Sequence, residues 1–229
     1  MSTVPALKAE GIFKSYRTRP VLKGVSLTVL PGTCVGIVGG NGCGKTTLLS
    51  ILAGAVRAEK GSILYHGTEA FGNPRVFARE AAYVPQENPL IEELSVRDNL
   101  RLWYHGSKEG MEADLREGAA AMLGIGDMLG RTAGKLSGGM KKRLSIACAL
   151  SNHASVLIMD EPGAALDLEC KAAIRAYLKN YMAAGGTVIL TSHELAELSL
   201  CSVMYVLKDG TLELIDTGLS EQELIDRFK

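Results

Sequence analysis

Three observations in the 229-residue chain predict an α/β fold. A glycine-rich phosphate loop lies between an apolar strand and a helix, two further apolar runs of strand length end in polar residues, and a long helical stretch separates the halves. The helical stretch reads as a portion inserted between core strands. The loop, Gly39-Gly-Asn-Gly-Cys-Gly-Lys-Thr46, fits G-x-x-x-x-G-K-[ST], with the apolar Cys34 to Val38 before it and the helical Thr47 to Ala53 after it. Gly39, Gly40, Gly42 and Gly44 let backbone N–H groups, with those of Asn41, Cys43 and Thr47, face a polyphosphate, and the next helix offers its positive end. Lys45 reaches the β and γ phosphates, and the Thr46 hydroxyl can ligate Mg2+. The chain is expected to bind a nucleoside triphosphate.

Upstream of the loop, Leu7 to Phe13 and Val21 to Val29 read as strands around the polar turn Arg17-Thr-Arg-Pro20, and Pro31-Gly32 turns the chain into the loop strand. Ser62 to Tyr65 and Ala82 to Val84 are short strands beyond it. From about Asn88 to Asn152 the pattern is helical, with Val96 to Tyr104 and Glu112 to Leu123 amphipathic. Val156 to Met159 is a buried parallel strand by its continuous apolar run, and it delivers Asp160-Glu161 to the sheet edge where open α/β sheets bind ligands. Leu168 to Ala183 is a helix ended by Gly185-Gly186, Thr187 to Thr191 a strand, and Glu194 to Leu200 a helix. Ser202 to Leu207 and Thr211 to Ile215 pair across Asp209-Gly210, and Ser220 with Glu223 caps a final helix.

Composition narrows the function. With 47% hydrophobic residues the chain can bury one sizeable core, and a formal net charge of zero gives no field favouring nucleic acid or anionic lipid. No apolar run approaches the ~20 residues needed to span a bilayer, and the first residues do not read as a signal peptide, so a cytoplasmic chain is expected. The 5 cysteines are widely spaced and suggest neither a disulfide framework nor a zinc site.

Leu136-Ser-Gly-Gly139, followed by the basic helical stretch Lys141 to Leu150, carries a resemblance. Gly39 to Thr46, Gln86, Leu136 to Gly139, Val156 to Glu161, Leu166-Asp167 and His193 stand in the order found in ATP-binding cassette (ABC) proteins, and the chain resembles that family over nearly its whole length. The resemblance implies one domain spanning 1–229, a P-loop NTPase of ABC-ATPase fold. Residues 1–87 and 153–229 would form a mixed sheet core with its antiparallel β subdomain, and 88–152 the inserted helical subdomain. It implies ATP and Mg2+ as cofactors, with Tyr16 stacking on adenine and Thr46, Gln86 and Asp160 around Mg2+. Adjacent carboxylates can divide the work: Asp160 stays charged beside the metal and Glu161 polarises the attacking water, as the family's general base. His193 would contact the γ-phosphate, and Gln86 would reach the water and hinge the insert.

Ser137, Gly138 and Gly139 would close on ATP held by a second subunit in a head-to-tail dimer, with Asp167 at the interface. Met140 replaces the usual glutamine; Met140-Lys-Lys-Arg-Leu144 and Glu87 to Leu100 resemble the multidrug and ABC-2-type exporter branch. Gly163 and Ala164 replace residues that usually carry hydroxyls. The function implied is an ATP-hydrolysing subunit, a homodimer without nucleic-acid partners, held on the cytoplasmic face of the membrane by a separate permease subunit. The alternative is a soluble ABC ATPase acting on ribosomes or DNA, which the single cassette and the lack of long coiled coils disfavour. A P-loop kinase or GTPase is disfavoured by Leu136 to Gly139 and by the lack of an N-K-x-D base-reading motif.

Overall fold

The computed structural model describes residues 3 to 104 and 107 to 228. It begins with two long antiparallel strands, β1 (Leu7–Tyr16) and β2 (Arg19–Val29). Leu7, Ala9 and Ile12 are buried, and the break in their alternation falls where β1 slips register against β2, at Gly11 with φ 59. A bulge there turns Ile12 back to the core. The predicted turn at Arg17 to Pro20 is shorter than expected, because β2 reaches back through Pro20 to Arg19. Proline is tolerated because β2 is the edge of a four-stranded antiparallel sheet ordered β2-β1-β4-β5, with β4 at Lys60–Tyr65 and β5 at Thr68–Glu69.

The second sheet holds β3 (Cys34–Val38), β6 (Ala81–Val84), β7 (Val156–Asp160), β8 (Thr187–Thr191), β9 (Val203–Lys208) and β10 (Thr211–Ile215), in the order β10-β9-β3-β8-β7-β6. All neighbours are parallel except the β9–β10 hairpin. Every residue of β3, β7 and β8 is buried, as expected of strands covered on both faces. The pleat divides them between two apolar clusters: Leu157 and Met159 pack on one face, Val156 and Ile158 on the other. The first cluster runs into the helices between β6 and β7; the second joins this sheet to the antiparallel one and to α1 (Lys45–Leu52).

Between β6 and β7 lie α3 (Val96–Trp103), α4 (Lys108–Glu117), α5 (Ala119–Met122) and α6 (Gly138–Ala149). Ser95, Ser107 and Ser137 each cap one of these helices through the side-chain oxygen. The single helix predicted over Glu112 to Leu123 is interrupted at Gly118, because the buried Asp114 carboxylate accepts the Ala119 and Ala120 N–H groups at 2.9 and 3.1 Å and so starts α5. Two elements went unpredicted: β5, and α2 (Pro74–Glu80), which opens with proline at its first turn. Beyond β7 come α7 (Leu168–Ala183), α8 (Leu195–Leu198) and α9 (Glu221–Phe228). Ser220 and Glu223 form the expected capping box, with Glu223 Oε2 2.8 Å from the Ser220 N–H. No helix among the described residues is long and apolar enough to cross a membrane.

Candidate active site

Four parallel strands release their chains at one sheet edge. β3 runs into the phosphate loop, β6 into Pro85-Gln86, β7 ends at Asp160 and β8 at Thr191. In the loop, Gly44 has φ 111 and a Cβ there would lie 2.7 Å from Val21 Cγ1, so only glycine fits. Gly44 caps α1 without a side-chain bond, which leaves the first N–H groups of the helix facing outward. Lys45 Nζ is folded inside the loop, donating to the carbonyls of Gly39 at 2.7 Å and Gly40 at 3.3 Å.

The buried Asp160 carboxylate is held from two sides. Thr46 Oγ1 donates to Oδ2 and Thr191 Oγ1 to Oδ1, each at 2.6 Å. The Thr191 hydroxyl also accepts the Glu161 N–H at 3.0 Å, so one side chain fixes both adjacent carboxylate residues. Glu161 has φ 46, an uncommon conformation for a residue with a Cβ, and it turns the carboxylate away from Asp160's pocket towards the open edge. There Gln86 Nε2 lies 3.4 Å from Glu161 Oε2, and His193 Nε2 lies 3.4 Å from Glu161 Oε1. Two residues that follow separate strands thus converge on one carboxylate. The turn that presents His193 is itself pinned: Ser192 Oγ donates to buried Glu197 at 2.6 Å and accepts the Glu194 N–H at 2.9 Å. Burial pushes the Glu197 carboxyl up, and the Ser192 bond opposes that shift.

Gln86, Glu161 and His193 border a cavity of about 720 Å³, lined also by Tyr16, Asn41, Gly42, Gly44, Lys45, Thr46 and Thr47, with Asp160 buried behind Thr46. Cys43 lies outside this lining, with its side chain packed against the apolar cluster behind the loop. Arg19 and Val21 line the cavity and were not foreseen; the hairpin register that sets Arg19 opposite Tyr16 is the signal that could have found Arg19. Tyr16 is 49% exposed, and Lys14 Nζ sits 5.3 Å from its ring centroid. An exposed ring at the mouth of a phosphate site can stack on a base, worth ~1 to 3 kcal/mol. Tyr16→Ala is expected to raise the KM for ATP by ~5- to 150-fold with kcat changed much less; an unchanged KM would remove Tyr16 from the site.

Ser137, Gly139 and Asp167 do not join this cavity within one chain. They border a separate hollow of about 220 Å³ with Met140, Arg143 and Cys170. Ser137 Oγ accepts the Met140 N–H at 3.3 Å, Gly138 follows it as the first residue of α6, and Asp167 Oδ1 accepts the Cys170 N–H at 2.7 Å, capping α7. The chain therefore presents two half-sites: a phosphate cavity with its carboxylates, and a capped helix start.

Residues 22–164 match the family model described as ABC transporter. The chain is 36% identical over 210 residues to the Nod factor export ATP-binding protein I of Paraburkholderia xenovorans, covering 90% of this chain and 68% of that protein. Its fold is similar to the structure of an ATP-binding subunit of an ABC transporter, with a TM-score of 0.85 and 26% identity over 97% of this chain and 99% of that one. It is also similar to a bacterial ABC transporter cassette solved as a dimer, with a TM-score of 0.81 and 25% identity over 90% of this chain and 96% of that one. The first is named for export and the other two as parts of ABC transporters, which disfavours a role on ribosomes or DNA. The chain belongs to the ABC transporter family, as one of its ATP-binding, ATP-hydrolysing subunits.

Proposed function

We propose that this subunit hydrolyses ATP with Mg2+ in a head-to-tail homodimer and powers export through a separate permease at the cytoplasmic face of the membrane. The observation that carries it is the convergence of Gln86, Glu161 and His193 on the edge of the phosphate cavity. Glu161 takes a proton from the attacking water, His193 holds the γ-phosphate, and Gln86 orients the water. Thr46 Oγ1 and Asp160 Oδ2, 2.6 Å apart beside the loop, are hard oxygen donors suited to Mg2+, with Gln86 in reach of the same shell. Bound there, the ion would neutralise charge on the β and γ phosphates.

The two half-sites of one chain support the dimer reading: the signature residues Ser137 to Gly139 and Asp167 need a second copy's cavity to meet a phosphate. Residues 1–87 with 153–229 act as the core and 88–152 as the helical subdomain that transmits closure. Export rests on the name of the Paraburkholderia relative and on Met140-Lys-Lys-Arg-Leu144. Phosphate release from ATP by the purified chain should require Mg2+ and cease with chelator, and Mg2+ with ATP should shift the Glu161→Gln chain from monomer to dimer on size exclusion. Hydrolysis undiminished by chelator, or a strictly monomeric variant, would sink this reading.

The apolar residues near Gln86 divide into core and surface. Tyr104 is buried with its hydroxyl on Asp114, and Leu90 and Trp103 pack against the helical cluster, whereas Ile91 is 47% exposed. Ile91 is the residue of that group positioned to receive a permease segment. Ile91→Glu should leave the ATPase of the isolated chain within about twofold, since exposed substitutions cost little, yet reduce co-purification with the permease. Unimpaired co-purification would move the docking site elsewhere.

A further inference from the structure

Lys142, in α6, is a buried cation that no step above uses. The residue is 3% exposed, and its Nζ donates to the backbone carbonyls of Pro85 at 2.9 Å and Gln86 at 3.0 Å. These carbonyls belong to the segment that leaves β6 and carries Gln86 to Glu161. We infer that Lys142 is a positioning residue for hydrolysis: it straps the Gln86 segment to α6, the helix that begins with Ser137 and Gly139, and so holds the Gln86 amide at the Glu161 carboxylate.

The geometry gives the strap direction. α6 is a single helix from Gly138 to Ala149, so a displacement of its capped start is carried to Lys142 without an intervening joint. Lys142 then meets main-chain atoms, which it can hold at a fixed place whatever the Gln86 rotamer. Desolvation lowers the amine's pKa, while Asp160 and Glu197 favour its charged form. The ordinary alternative is that Lys142 only satisfies two carbonyls and stabilises the fold. The two roles separate in kinetics, because a strap acts through Gln86 and a fold-stabilising residue does not.

The proposal rests on the catalytic reading of Gln86, and a mutant cycle tests the two apart. Lys142→Met keeps the aliphatic stem and removes the donors; Lys142→Arg keeps charge and donors. kcat and KM for Mg2+ with ATP are measured for both, for Gln86→Ala and for the Gln86→Ala/Lys142→Met double variant, with thermal melting of each. Lys142→Met should lose about tenfold in kcat, a misplacement effect, with KM within about twofold. Lys142→Arg should recover at least half of the loss. In the Gln86→Ala background, Lys142→Met should cost less than about twofold further. If Lys142→Met does not fold, Lys142→Gln, a neutral side chain one bond shorter that withdraws its amide from the two carbonyls, replaces it in the same cycle with the same expected losses. Wild-type kcat in Lys142→Met, or the full tenfold loss repeated in the Gln86→Ala background, overturns the strap. Wild-type kcat in Gln86→Ala instead overturns the role of Gln86 itself.

Discussion

Glu161→Gln is expected to lower kcat by roughly 10²- to 10⁴-fold, the range for loss of general-base assistance, while ATP affinity changes by no more than a few fold. The amide keeps the size of the carboxylate and can still face Gln86 and His193, each 3.4 Å away. The backbone that aims it is held independently, since the Glu161 N–H is bonded to the Thr191 hydroxyl at 3.0 Å. The substitution therefore removes proton-accepting capacity and little else. Single-turnover phosphate release measures the chemical step, and a nucleotide-binding assay measures affinity alongside it. A variant turning over within tenfold of the wild type would show that another group accepts the proton. Loss of ATP binding would show that the side chain was holding the site together rather than acting on water.

The parts of this fold legible in the sequence are those in which one stretch of chain contains the whole signal. The phosphate loop has its glycines, lysine and threonine contiguous, and the runs Val156 to Met159 in β7 and Val188 to Leu190 in β8 are apolar because both faces of these strands are buried. Helix α7 spans Leu168–Ala183 as expected from the sequence, with Gly185-Gly186 after it. What the sequence hides is meeting across the sheet edge. Nothing in Thr187 to Thr191 says that the last hydroxyl will serve both Asp160 and Glu161, because that depends on the β7–β8 register pairing Asp160 with Thr191. The positive φ of Glu161 is equally invisible, since glutamate has no local preference for it. The helix expected over Glu112 to Leu123 runs through Gly118; the carboxylate that breaks it there, Asp114, is held by the hydroxyl of Tyr104, the residue after α3. Tyr104 in turn ends the amphipathic stretch that begins at Val96, and its neighbours in space make it core.

Gly139→Ala is expected to reduce turnover by about two orders of magnitude, the scale of a misplacement of about 1 Å, and Cys170→Ala is expected to restore at least a tenth of the wild-type rate to that variant. A Cβ at Gly139 would lie 2.5 Å from Cys170 Sγ and 2.9 Å from Cys170 Cβ, so α6 and α7 must part where they pack. Alanine raises helix propensity by up to ~1 kcal/mol against an overpacking cost of ~1 to 3 kcal/mol, and the chain should still fold with modest loss of stability. The damage falls instead on Ser137 and Gly139, which border the hollow that meets the partner's nucleotide in the proposed dimer. Removing the sulfur leaves a Cβ–Cβ approach that a shift of a few tenths of an ångström relieves, so the double variant should regain ATP-dependent dimerisation together with hydrolysis. Binding of ATP to the monomer, which uses Tyr16 and the Lys45 loop and neither Gly139 nor Cys170, should remain normal in both variants. If Gly139→Ala turns over within threefold of the wild type, the start of α6 is more yielding than its packing against Cys170 indicates. If Cys170→Ala gives no recovery, the loss arises at the dimer interface itself, and the α6–α7 contact is not its cause.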